Sequence, residues 1–354
     1  MVSHGQRIVL LSLAAAIAVL AGSSGAGGTG QPSAGPPQMV FILPTNGTVF
    51  PPGPDNRSWE VAVMNLDGSG FRQLTSDGTF HFLPHFSPNG FKIVYSKYAV
   101  GGYADPNAQL DVVVYDLATG QETQLTHDGS AVSGVWSPDG RRIAYLSYRT
   151  SALWIVDADG SQPLLLGQPG GALDDLTWGD LAWSSDDWLL FTVGQNTNHC
   201  FKVRLDKMRP DGSARTQVTD GGPHCTPAGM EQSGDADPGF SADGQTIFSS
   251  RGNPVAPAGL PAGNPSVTER KLFAFSSDPW FPGKLETDLS LPSEPSCVEG
   301  VPKGSPDGKQ VLLYRICFDT YPPTGGIYLT DTAGSYRTFV THGFAPDWNP
   351  AWRP

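Results

Sequence analysis

From Val135 to Tyr145 the chain alternates apolar and polar residues on either side of a four-residue break. Val135 and Trp136 end one apolar stretch, Ser137-Pro138-Asp139-Gly140 interrupts it, and Ile143 and Tyr145 resume with a period of two. Proline presets φ, aspartate accepts hydrogen bonds from nearby backbone N–H groups, and glycine tolerates positive φ. The segment therefore predicts two short strands, each burying one face, joined by a tight turn. The unit returns in degraded form at Phe86-Ser87-Pro88-Asn89-Gly90, Trp183-Ser184-Ser185-Asp186-Asp187, Phe240-Ser241-Ala242-Asp243-Gly244, Gly304-Ser305-Pro306-Asp307-Gly308 and Trp348-Asn349-Pro350.

A second hairpin runs between these copies. Trp59 to Met64, the turn Asn65 to Gly70, and Phe71-Arg72-Gln73-Leu74-Thr75 give one example. Val112 to Tyr115, Asp116-Leu117-Ala118-Thr119-Gly120 and Glu122 to Thr126 give another. Four short strands per unit, recurring every 45–60 residues or roughly so, predict propeller blades. The six anchors predict an all-β, six-bladed β-propeller of four-stranded blades. Trp348 opens a blade that the C-terminus leaves unfinished, while Met39 to Leu43, Trp59 to Met64 and Phe71 to Thr75 supply three strands lacking a first. Pairing the two ends would complete one composite blade and leave no open sheet edge.

The Ser-Pro-Asp-Gly turn after an aromatic residue, and the Asp-Gly-Ser turn before Arg-Gln-Leu-Thr, resemble the TolB-type (WD40-like) β-propeller repeat family. The resemblance runs from Met39 to Pro354 and implies a scaffold without catalysis of its own, binding a protein or peptide partner. The family's envelope member carries an α/β domain ahead of its propeller, whereas here that place is taken by a linker.

The rest of the sequence adds location and charge. Residues 1–26 predict a signal peptide, with Arg7, an apolar run from Ile8 to Leu20, and small residues at Ser24-Gly25-Ala26. An uncleaved N-terminal anchor is the other reading of this segment. Residues 27–37 predict a flexible Gly/Ser/Pro linker, and 38–354 a single propeller domain. The run is short for a membrane span, so a secreted or periplasmic monomer is expected. A formal charge of −12, without clusters of lysine or arginine, argues against nucleic acid and anionic membranes as partners. Four cysteines in an exported chain predict disulfides. A hairpin centred near Pro210-Asp211 places Cys200 opposite Cys225, and one centred near Pro306-Asp307 places Cys297 opposite Cys317.

No nucleophile elbow, zinc-protease helix motif, P-loop or dinucleotide fingerprint is present. Histidines carry the remaining chemical signal. His81, His127, His224 and His342 fall between blades, His199 falls between a second and a third strand, and His85 is expected to start an innermost strand. All six are then expected at one end of the ring. Together with Asp128 or Asp237 they could hold a divalent metal, which would make the chain a metal-assisted polysaccharide lyase or hydrolase. The favoured expectation has no metal and no cofactor. On that reading Tyr103, His127, His224 and His342 contact the partner, on the face with long connections. Those connections include Tyr98–Asn107 and an acidic loop holding Asp174, Asp175 and Asp180. The opposite face has minimal turns and is expected to leave little room for a pocket.

Overall fold

The computed structural model describes residues 37–45, 58–100, 105, 107–167, 175–197, 200–219, 232–253, 269–278, 286–291, 297–317 and 324–352. The predicted signal peptide, the linker up to residue 36, Tyr103, His199, His224 and Cys225 lie outside them. Among the described residues every regular element is a strand, and no helix is long and apolar enough to cross a membrane.

The strands fall into sets of four. β1 (Met39–Thr45), β2 (Ser58–Met64) and β3 (Arg72–Gln73) await a first strand. β4 (His81–Phe86), β5 (Lys92–Val100), β6 (Gln109–Asp116) and β7 (Glu122–Gln124) form a complete sheet. So do β8 (Ala131–Trp136), β9 (Arg142–Ser147), β10 (Ala152–Asp157) and β11 (Leu164–Gly167). β12 (Asp175–Trp183), β13 (Leu189–Thr197), β14 (Cys200–Met208) and β15 (Thr216–Gln217) follow. Next come β16 (Gln232–Phe240), β17 (Thr246–Asn253), β18 (Glu269–Ser276) and β19 (Thr287–Asp288). β20 (Cys297–Gly304), β21 (Gln310–Cys317), β22 (Thr324–Asp331) and β23 (Thr338–Thr341) make the last full set. β24 (Phe344–Trp348) pairs antiparallel with β1 through Met39–Trp348, Val40–Asp347 and Ile42–Phe344, which completes the composite blade. The first strands contact one another in the cyclic order β4, β8, β12, β16, β20, β24 and back to β4. This arrangement is a closed β-propeller. One irregularity joins two sets, since β14 also pairs in parallel with the start of β16. Only glycine permits that approach at Gly234, where a Cβ would lie 1.8 Å from the Val203 carbonyl oxygen.

The repeat motifs show what they build. In the five turns that hold the serine, its hydroxyl donates to the turn aspartate, or to Asn89 in the first copy, and accepts from the N–H of the next strand. Ser137 Oγ donates to Asp139 Oδ1 at 2.6 Å, and Arg142 N donates to Ser137 Oγ at 2.9 Å. Gly140 supplies φ of 70°. The pairs Leu74-Thr75, Leu125-Thr126 and Val218-Thr219 that end three of the units are latches, in which the threonine hydroxyl reaches back to a third-strand N–H. Val61 N to Thr75 Oγ1, Val112 N to Thr126 Oγ1 and Leu205 N to Thr219 Oγ1 span 2.9, 2.9 and 3.0 Å. Apolar clusters fill the spaces between blades. Trp136 packs with Val94, Val112 and Tyr145, and Trp59 packs edge-on against Phe344 across the closure.

Cys297 and Cys317 are direct cross-strand partners in β20 and β21 and form the predicted disulfide, with Cα atoms 4.0 Å apart. A closed loop of this length contributes about 3 kcal/mol. Cys200 opens β14, but the predicted Cys200–Cys225 pairing lies outside the described residues.

The closure generates a prediction. Deleting residues 344–354 removes β24 and exposes edges of both β1 and the ring. Equilibrium denaturation should then lose its single cooperative transition. An unchanged transition would contradict the closure.

Candidate functional site

Each innermost strand carries a bulge with a left-handed residue at its centre: Leu83, Ser133, Gly179, Asp237, Val301 and Ala345, with φ between 46° and 73°. Only one of the six is glycine, and a β-branched residue such as Val301 rarely adopts this conformation. The residue after each is Pro84, Gly134, Asp180, Pro238, Pro302 or Pro346. Proline is tolerated here because the inner edge of an innermost strand faces the channel and needs no ladder donor.

The bulge re-aims the following position toward the ring axis. That position holds His85, Val135, Leu181, Gly239, Lys303 and Asp347, one from each innermost strand, and all six line one cavity. The cavity, of about 460 Å³, opens among the short turns, with Pro88, Pro138, Pro306 and Pro350 at its rim. Its wall is made by the repeat anchors Phe86, Trp136, Trp183, Phe240 and Trp348. This corrects the expectation that minimal turns leave little room for a pocket. Short turns do not crowd the axis, and Gly239 and Gly304 let adjacent blades approach closely there, since a Cβ would lie 2.4 Å from the Pro302 carbonyl oxygen and 2.9 Å from that of Phe240 respectively.

Below this ring lies a buried network of charges. Asp180 Oδ1 accepts from His85 Nε2 at 2.9 Å, and Asp180 Oδ2 accepts from Lys303 Nζ at 2.6 Å. Lys303 Nζ also reaches the Pro238 carbonyl at 3.3 Å, and His85 Nδ1 lies 3.4 Å from Asp347 Oδ2. Burial by itself would drive His85 toward its neutral form. The Asp180 carboxylate more than offsets this, with a further contribution from Asp347, and raises the imidazole pKa to about 9. Burial pushes the Asp180 carboxyl up, and the His85 and Lys303 charges more than reverse it, holding it well below the usual carboxylate range. The site therefore contains two cations and two anions locked together.

Two positional expectations are overturned. His85 does not start its strand; it is the fifth of six residues in β4 and sits by the short-turn mouth, because the strand begins at His81. Asp175 and Asp180 belong to β12 and not to a loop, with Gly179 providing the bulge that the sequence presents as turn chemistry.

His127 and His342 are exposed on the connections that enter β8 and β24, and His342 Nδ1 lies 3.2 Å from the Gly325 carbonyl oxygen. Neither joins a cluster of metal-ligating groups among the described residues. Asp128 accepts hydrogen bonds from the backbone and hydroxyl of Ser130, and Asp237 accepts from Ser250 Oγ at 2.8 Å. The group of such side chains that does come together is Glu60, Asp77 and His81. There Glu60 accepts from Thr75 Oγ1 and Gly78 N, while Lys97 Nζ, 2.6 Å from Asp77 and 2.8 Å from Glu122, supplies the cation.

Two predictions follow from the buried network. Asp180→Asn leaves two buried cations facing a neutral amide and should destabilise the fold by about 3–5 kcal/mol in chemical denaturation. His85 binds its proton more tightly in the folded chain than in the unfolded one, where its pKa is about 6.5. Its contribution is therefore complete below about pH 6.5 and is lost as pH rises through about 9. Unfolding free energy should decline across that window, and His85→Gln should flatten the decline. An identical slope in the variant would remove His85 as its source.

The comparisons with known proteins agree with this architecture. No family model matches the chain. Tol-Pal system protein TolB of Anaeromyxobacter dehalogenans is 28% identical over 106 residues, 29% of this chain and 23% of that protein. A TolB homolog of Chlorobaculum tepidum is 28% identical over 114 residues, 32% of this chain and 25% of its own length. The chain thus spans about a quarter of the curated relatives it matches. Among solved structures, TolB from Acinetobacter baumannii superposes with a TM-score of 0.60 at 16% identity, covering 88% of this chain and 66% of that one. A putative TolB from Agrobacterium tumefaciens gives 0.55 at 15% identity over 87% and 89%. From its repeat, its strand pairing and these likenesses, the chain is a β-propeller similar in fold to TolB.

Proposed function

We propose that this chain is an exported, non-catalytic propeller scaffold that binds a protein or peptide partner through the face with the long connections. The observation that carries the reading is the division of labour between the two ends of the ring. In the channel the ionisable groups are engaged with one another, His85 and Lys303 with Asp180. At the other end exposed polar groups, including His127 and His342, stand on connections held by a rigid ring, and binding residues concentrate on such loops. The relatives point the same way, being named as proteins of the Tol-Pal system. Tyr103 and His224 complete the proposed contact set.

Photo-crosslinking groups installed at positions 127 and 342, and separately at positions 69 and 141 on the short-turn face, test this on protein returned to its native host. Capture of the same partner from 127 and 342 alone is expected. The variant His127→Ala/His342→Ala should weaken that capture several-fold without lowering the melting temperature. Capture from 69 and 141 alone would overturn the assignment of face.

A further inference from the structure

The cavity at the short-turn mouth is not used by the reading above, and its chemistry is specific. Three features set it apart. The first is where its charges point. Of the charged groups at its base, Asp180 is fully buried and the side chains of His85 and Lys303 are 7% exposed, both turned to Asp180. The Asp347 side chain is 18% exposed. Its Oδ2 accepts from Phe86 N at 3.1 Å and faces His85, while Oδ1 takes no hydrogen bond from the described residues. The carboxylate oxygen that remains to be satisfied thus belongs to the group nearest the opening.

The second feature is the wall. Five of the six anchor positions around the cavity are aromatic. Aromatic rings beside a carboxylate suit a planar organic cation, which gains from the ring quadrupole as well as from the charge. The third feature is Trp136. Its indole N–H is buried and has no acceptor among the described residues, and Trp136 lines this same cavity. A buried donor without a partner is costly, and a ligand that brings a carbonyl oxygen would relieve it. The cavity volume lies in the range of small-molecule sites. A net charge of −12 on the chain favours the arrival of cations.

We propose that the short-turn mouth binds a guanidinium group, with Asp347 Oδ1 accepting its N–H donors, the aromatic anchors flanking its plane, and Trp136 donating to a carbonyl on the same ligand. An arginine residue in an extended peptide carries both groups. A free guanidinium compound carries only the first.

The test uses the folded protein and tryptophan fluorescence, since Trp136, Trp183 and Trp348 all line the site. N-acetyl-arginine methylamide, agmatine and N-acetyl-citrulline methylamide are titrated in turn. Saturable binding of the arginine probe is expected, with the neutral citrulline probe weaker by roughly tenfold or more, the scale of a hydrogen bond to a charged group. Asp347→Asn, whose amide oxygen can still accept from Phe86 N, should abolish that difference. Tighter binding of the arginine probe than of agmatine, lost in Trp136→Phe, identifies the peptide source. Equal binding of the two, both dependent on Asp347, identifies a free guanidinium ligand. The citrulline comparison needs no variant, so a misfolded Asp347→Asn would leave the test intact. Absence of saturable binding by either cation, or equal binding of arginine and citrulline probes, would overturn the proposal. Either result would leave the partner-binding face at the other end of the ring unaffected.

Discussion

A single carboxylate holds the channel together. Asp180 is taken wholly out of water, a location that is tolerable only because two cations reach it from different strands. Those strands, β4 and β20, are each two places away from β12 in the ring, so the contact spans the axis and links alternate blades. A propeller is otherwise held by neighbour-to-neighbour packing. The Asp180 network adds a constraint on all three at once, fixing where the inner strands sit and, through His85 and Lys303, where Asp347 is left to face.

The bulges make this possible. A regular strand would turn alternate side chains into the neighbouring blades. One left-handed residue per inner strand, repeated six times, turns a chosen position toward the axis. The cost is borne at residues such as Val301 and Leu83, which are poorly suited to that conformation and are kept there by the ring around them.

Much of the architecture was legible because local chemistry fixes it. The Ser137–Gly140 turn is written in a few adjacent residues, the Cys297–Cys317 register follows from one hairpin, and the composite blade follows from which strands are missing at each end. The axial ring was not legible. His85, Val135, Leu181, Gly239, Lys303 and Asp347 share no chemistry and become neighbours only when the ring closes. One signal lay in the sequence: proline three residues upstream of the turn serine or asparagine at Pro84, Pro238, Pro302 and Pro346. Proline within a strand marks an edge without ladder donors, and its recurrence marks the axis. Asp180 was hidden differently, because Thr177-Trp178-Gly179-Asp180 has the composition of a loop while serving as a bulged strand.

The pairing of β1 with β24 fixes more than the closure. Asn349 N donates to the Gln38 carbonyl at 2.8 Å, and its side-chain amide donates to the Pro37 carbonyl at 2.9 Å. The same amide lies beside the Gly90 carbonyl, in a short turn at the rim of the cavity. The first and last described residues therefore share one rim. A change at Asn349 would therefore be felt at once in the β1–β24 closure and in the Gly90 turn beside the aromatic mouth, so the seam of the ring and the shape of that mouth cannot vary independently.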